Sequence, residues 1–144
     1  MNRIIVVDAS AALSVILNEP HRSRILAATC DAVLMSPSSL PFEVANALSA
    51  RVKRNDADCL APDLADQAFS AFLDMDIALV NPDREAHRHA LQIAASRRMY
   101  AYDAYLLELA LRYQAELLTL DGSGKKPGLM QHAQAFGVAL APGV

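Results

Sequence analysis

The sequence predicts an α/β domain whose mostly parallel sheet is covered by helices on both faces. Three observations carry that reading. Short apolar runs alternate with longer segments whose apolar residues recur at helical spacing. The runs Ile4-Ile5-Val6-Val7 and Leu117-Leu118-Thr119-Leu120 are too short for helices and too continuous for strands with one wet face. No repeat, linker or low-complexity segment interrupts the 144 residues, so a single domain spans 1–144.

The elements follow in order. Residues 3–7 read as a buried, β-branched strand. Ser10 can cap a helix through Leu17, which Asn18-Glu19-Pro20 ends. A short helix fits His21 to Ala28, and Val33-Leu34-Met35 a second strand. Pro37 and Ser38 or Ser39 introduce a long helix through Arg54, with apolar positions 40, 44, 47, 48 and 52. Its basic end, Arg51, Lys53 and Arg54, suits a helix C-terminus. Pro62 starts the next helix, with Leu64, Ala68, Phe69, Phe72 and Leu73 expected inward. Ile77 to Val80 is a third strand. Helices are expected from Pro82 to about Arg97 and from Tyr102 to Tyr113. Leu117 to Leu120 is a fourth strand, followed by the turn Asp121-Gly122-Ser123-Gly124. Val138-Ala139-Leu140 is a candidate fifth.

Composition narrows the function. Hydrophobic residues make up 53% of the chain. No run approaches the roughly 20 residues of a membrane span, so the surplus points to an oligomer or partner surface rather than a membrane. The start, Met1-Asn2-Arg3, is too short for a signal peptide, and a cytoplasmic location is expected. Cys30 and Cys59 form no Cys-x-x-Cys pattern and are expected as reduced, mostly buried thiols. There is no P-loop, no Gly-x-Gly-x-x-Gly and no His-Glu-x-x-His. His87 and His89, two apart on a helix, point in different directions and read as solvated.

Four acids stand out against their surroundings. Asp8 and Asp121 end apolar runs, Glu43 interrupts the apolar stripe of Leu40, Val44, Ala47 and Leu48, and Asp103 opens Ala104-Tyr105-Leu106-Leu107. An unpaired buried carboxylate costs several kcal/mol, and no matching set of basic residues lies beside them. In open parallel sheets, ligands bind beyond the carboxyl ends of the strands, where all four acids are expected. Two carboxylates about 4 Å apart repel by about 4 kcal/mol at an effective dielectric of 20. A cluster of four therefore calls for one or two hard cations, Mg²⁺ or Mn²⁺. Separately, each acid has a plainer role: a turn at Asp8, a helix N-cap at Asp103, an Asp-Gly turn at Asp121. The hydroxyls of Ser10 and Thr119 can orient the neighbouring carboxylates, with an N-cap as the alternative for Ser10. The formal net charge is −3; discounting the four acids leaves +1, so a nucleic-acid partner is not excluded.

The segments Val6-Val7-Asp8-Ala9-Ser10, Pro41-Phe42-Glu43-Val44-Ala45-Asn46-Ala47-Leu48, Tyr102-Asp103-Ala104-Tyr105-Leu106-Leu107-Glu108-Leu109-Ala110 and Leu117-Leu118-Thr119-Leu120-Asp121 resemble PIN-domain ribonucleases, above all the VapC-type toxins of bacterial toxin–antitoxin pairs. The resemblance implies a PIN-like three-layer α/β/α sandwich with four to five strands. It implies that Asp8, Glu43, Asp103 and Asp121 are the metal-binding and catalytic quartet, with Ser10 and Thr119 beside them. It also implies a homodimer and an antitoxin covering the active-site groove; the apolar faces of the first helices and of the long helix, near Leu13, Leu17, Phe42 and Val52, are the expected surface. The departure lies after Asp121, where Gly122 to Gly128 is more glycine-rich and looser than the family's usual turn.

The expected chemistry is endonucleolytic hydrolysis of RNA: a bound cation lowers the pKa of water and polarises the phosphoryl oxygen. Arg51, Arg54, Arg97, Arg98, Lys125 and Lys126 are candidate RNA contacts. A tRNA or another structured, looped RNA is the expected target class. Two alternatives stay open. One is a PIN-like nuclease with a housekeeping RNA-processing or DNA role. The other is a non-catalytic metal-dependent binding module, since Asp8-Ala9-Ser10 begins an Asp-x-Ser-x-Ser pattern, although Ala12 stands where its second serine belongs.

Overall fold

A computed structural model describes residues 2–124 and 127–144. Its four strands are β1 (Arg3–Val7), β2 (Ala32–Pro37), β3 (Ile77–Val80) and β4 (Glu116–Leu118). Its helices are α1 (Ala9–Ile16), α2 (Arg22–Thr29), α3 (Leu40–Val52), α4 (Pro62–Leu73), α5 (Arg84–Arg97), α6 (Ala101–Tyr113) and α7 (Leu129–Ala135). The strands pair in the order β3-β2-β1-β4, all parallel, so the sheet is the one expected, with four strands among the described residues. No helix among these residues is long and apolar enough to cross a membrane.

Side chains alternate across a strand, and β1 feeds two cores. Ile5 and Val7 pack with Leu40, Val44, Phe72 and Leu118 on one side. Val6 packs with Met35, Leu107, Leu117 and Leu129 on the other. Full burial of such a side chain is worth about 1.5–3 kcal/mol, so the continuous apolar character of β1 follows from its position between two helical layers.

The strand order fixes the site. From β1 the chain moves outward through β2 to β3, then returns across the sheet to place β4 on the other side of β1. The switch between β1 and β4 opens the crevice in which parallel sheets bind ligands. Val7 pairs with Leu118, so Asp8 and Thr119 emerge side by side at that crevice.

Several expectations need correction. Asp8, not Ser10, caps α1: its side chain accepts the Ala11 N–H. β2 runs on to Pro37, which pairs with Val80. Proline is tolerated there because pairing with β1 already ends at Met35. α3 stops at Val52, short of Arg54. Leu73 of α4 is exposed because Ala68 and Phe72 define the inward stripe and Leu73 lies about 100° further round the helix; Leu64 is exposed too, although it lies on that stripe in the helix's first turn. β4 ends at Leu118. The expected fifth strand is a single bridge, Leu117 to Leu140. α7 has no counterpart in the sequence reading. Cys30 and Cys59 are free thiols as expected, but both are exposed.

Candidate active site

Asp8 is the most completely held of the four acids. It is 5% exposed. Its Oδ1 accepts from Ser10 Oγ at 2.7 Å and from Ala11 N at 3.0 Å. Its Oδ2 accepts from Thr119 Oγ1. Both hydroxyls also accept: Ser10 Oγ from Leu120 N and Thr119 Oγ1 from Asp121 N, each at 3.0 Å. Ser10 and Thr119 thus stitch Asp8 to the segment that carries Asp121. Burial pushes the Asp8 carboxyl up, and its three donors only partly offset this.

Glu43 sits in the first turn of α3, just beyond the end of β2. Ser39 Oγ donates to its Oε2 at a long 3.4 Å. Burial raises its proton affinity, and the charges of Asp103 and Asp8 add to the effect. Asp103 lies in the first turn of α6, but the N-cap is Tyr100, so the cap role does not apply. α6 packs on β1, β2 and β4 and joins β4 through a short connection. Its first turn therefore returns to the edge where β4 ends, a route not foreseen from sequence. Burial, then the charges of Asp121 and Asp8, push the Asp103 carboxyl up to about 6.

Asp121 does take a structural role. Its Oδ2 accepts the N–H of Leu129, and its carbonyl accepts that of Met130. The two ends of the glycine-rich segment after it, Gly122 and Gly128, are both anchored to Gln131. Gln131 donates to the Gly122 carbonyl at 3.1 Å and accepts from Gly128 N at 2.7 Å. Gly122 has φ +110, and an added Cβ would collide with Gln131, so glycine is required there.

The charges that perturb these acids are one another. Asp121 raises Asp8 and Asp103, Asp8 also raises Asp103, and Asp103 and Asp8 raise Glu43. Among the described residues, no basic side chain forms an ion pair with any of them. Glu108 supplies the contrast. It is as buried as Asp8, but Arg112 holds it with two hydrogen bonds of 2.9 and 2.8 Å.

The donor set fits a hard divalent cation. All donors are carboxylate oxygens with spare acceptor capacity. Asp8 has about four lone-pair sites and uses three. Asp103 accepts no hydrogen bond among the described residues. The four carboxylates feel each other's charge without closing into a group of three that could hold an ion.

The proposed RNA contacts divide. Arg51 and Arg54 line a groove of about 560 Å³ together with Ser10, Leu13, Leu17 and Leu120. Among the described residues, Arg51 Nε is buried without a hydrogen-bond partner, whereas Arg54 is paired with Asp56 and Asp58. Arg97 donates to His132, and Arg98 is the left-handed C-cap of α5. Lys125 and Lys126 lie outside the described residues. Of the residues expected at the antitoxin surface, Leu13 and Leu17 line the groove; Phe42 and Val52 do not, and Phe42 is 77% exposed. The sequence reading missed Ser39 and Gln131. Ser39 lies one turn before Glu43, a spacing that could have suggested it; Gln131 carries no local signal.

A family model described as PIN domain matches residues 5–126. VapBC2 from Rickettsia felis, bound to a DNA fragment from its promoter, is similar at 12% identity over 95% of this chain and 96% of that one, with a TM-score of 0.65. PAE2754 from Pyrobaculum aerophilum is similar at 20% identity over 92% and 90%, with a TM-score of 0.60. VapC20 from Mycobacterium tuberculosis, a sarcin-ricin loop cleaving toxin, is similar at 16% identity over 78% and 85%, with a TM-score of 0.57. At these identities the likeness is one of fold. No curated protein matches the chain by sequence.

Proposed function

This chain belongs to the PIN-domain family, and from that premise we propose that it is a Mg²⁺- or Mn²⁺-dependent endoribonuclease, the toxin of a toxin–antitoxin pair. One observation carries the reading: Asp8, Glu43 and Asp103 are perturbed by burial and by the charges of other acids of the quartet, and among the described residues no cationic side chain pairs with them. Asp8, Glu43, Asp103 and Asp121 would hold one or two ions. A bound ion supplies electrostatic stabilisation of a phosphodiester under attack and lowers the pKa of water.

The chain's own residues do the rest. Thr119 and Ser10 fix both oxygens of Asp8. Leu129 N–H fixes one oxygen of Asp121. Asp103 accepts no hydrogen bond among the described residues, and burial with the charges of Asp121 and Asp8 pushes its carboxyl up to about 6, so a cation beside it would favour its ionised form. Arg51 lines the adjoining groove and forms no ion pair among the described residues, which suits it to a backbone phosphate of the RNA. The same groove, with Leu13 and Leu17, suits an apolar segment of an antitoxin, and the likeness to VapBC2 supports that partner. A homodimer accords with the apolar surplus.

The test is incubation of total RNA and of single- and double-stranded DNA with the protein in Mg²⁺ or Mn²⁺. The proposal requires RNA cleavage that a chelator abolishes. RNA left intact while DNA is cut would favour the housekeeping DNA role.

A further inference from the structure

We propose that the cleft beside Glu43 and Asp103 is a base-binding subsite, which takes an unpaired nucleobase of the RNA next to the phosphate at the acids. The inference rests on the endoribonuclease reading above. The cleft has a volume of about 710 Å³ and is lined by Ser39, Asn81, Pro82, His87, Tyr102 and Tyr105. That is within the range of small-ligand pockets, about 300–1,000 Å³.

Two connections tie it to the acids. Tyr102 immediately precedes Asp103, and Ser39 is the residue that donates to Glu43. Whatever occupies the cleft therefore neighbours whatever the acids hold.

The lining suits a flat, neutral, aromatic ligand. Tyr105 is braced: its hydroxyl meets His87 Nδ1 at 2.6 Å, and the two rings stand edge to face at 5.4 Å. Tyr102 is 62% exposed, and Tyr100 and Phe42, 81% and 77% exposed, also stand within three residues of Asp103 or Glu43. Of these, Tyr102 lines the cleft, and a large aromatic left in water at a cleft indicates a binding surface rather than a packing surface. Nearby carboxylates disfavour an anion, so the cleft does not suit a phosphate or an acidic peptide. A base presents a π-face to tyrosine and an edge to Asn81, and only an unpaired base is free to do so.

The test is fluorescence anisotropy with a 5′-fluorescein-labelled, mixed-sequence single-stranded RNA of about 12 nucleotides. The protein is the Asp8→Asn variant in Mg²⁺, a background in which asparagine still caps α1. In that background Tyr102→Ala is expected to raise Kd about tenfold, while Tyr102→Phe keeps the parental affinity. On the same strand made abasic, Tyr102→Ala and its parent are expected to bind alike. Tyr102 is exposed, so its loss leaves the core intact. Unchanged affinity in Tyr102→Ala overturns the subsite, as does an equal loss on the abasic strand. Unchanged affinity with an altered molecular mass in solution overturns it in favour of a protein partner. Wild type assayed on the same RNA separates the two readings. Cleavage with a KM insensitive to Tyr102→Ala sinks only the subsite. No cleavage sinks the endoribonuclease reading, and the subsite with it.

Discussion

Asp8 and Thr119 lie 111 residues apart in sequence and share a buried hydrogen bond where β1 and β4 end. The pairing of Val7 with Leu118 makes that meeting unavoidable. Thr119 also accepts the Asp121 N–H, so one hydroxyl sets two of the four acids.

Thr119→Val keeps the shape and removes the hydroxyl. It leaves a buried carboxylate short of a donor, which costs about 1–3 kcal/mol. Urea unfolding should show a loss of that size. RNA cleavage should fall as well, because Asp8 and Asp121 lose a common anchor.

The metal-free protein should become less stable as pH rises through the acidic range. The Asp103 carboxyl lies at about 6 in the folded protein against 3.8 ordinarily. Between those values the folded state keeps a proton that the unfolded chain has released, so unfolding free energy declines with rising pH. The penalty is absent below the lower value and complete above the upper one. Asp8 and Glu43 shift in the same direction. Asp103→Asn should flatten the decline and raise the unfolding midpoint near neutral pH in chelator. A steeper decline, or a lower midpoint at neutral pH, would contradict the sign.

Arg51→Ala should raise KM for RNA more than it lowers kcat. If Arg51 holds one phosphate of a single strand, the slope of log KM against log salt should shrink by about 0.7. An unchanged slope would remove Arg51 from the RNA contacts.

Gln131→Ala unties Gly122 and Gly128 from α7. It should cost about 1 kcal/mol of stability and lower kcat, since the turn it anchors follows Asp121. Gly122→Ala should be worse, because it adds backbone strain to a collision with Gln131.

What was legible in the sequence, and what was not, divides along physical lines. β1 and the helices starting at Leu40 and Pro62 could be read because apolar period and proline position are local signals. Pro37 misled, since a proline reads as a helix entry while its partner Val80 is distant in sequence. α7 was invisible because seven residues beginning after glycine carry too little periodicity. At the site, the four acids were conspicuous because each broke an apolar run. Their mutual charge effects and the double use of Thr119 depend on strand register, which sequence does not display. The aromatic cleft was hidden for a similar reason: Tyr102, Tyr105 and His87 meet only when α5 and α6 pack.

Everything proposed for this site requires Asp8, Glu43, Asp103 and Asp121 to act as one cation centre. Calorimetric titration of Mn²⁺ into wild type and into Asp8→Asn, Glu43→Gln, Asp103→Asn and Asp121→Asn tests it most directly. The account predicts binding to wild type that each substitution weakens about tenfold or more, the size of a lost ligand or its orienting partner. Mn²⁺ binding that survives all four substitutions unchanged, or is absent from wild type, would contradict it.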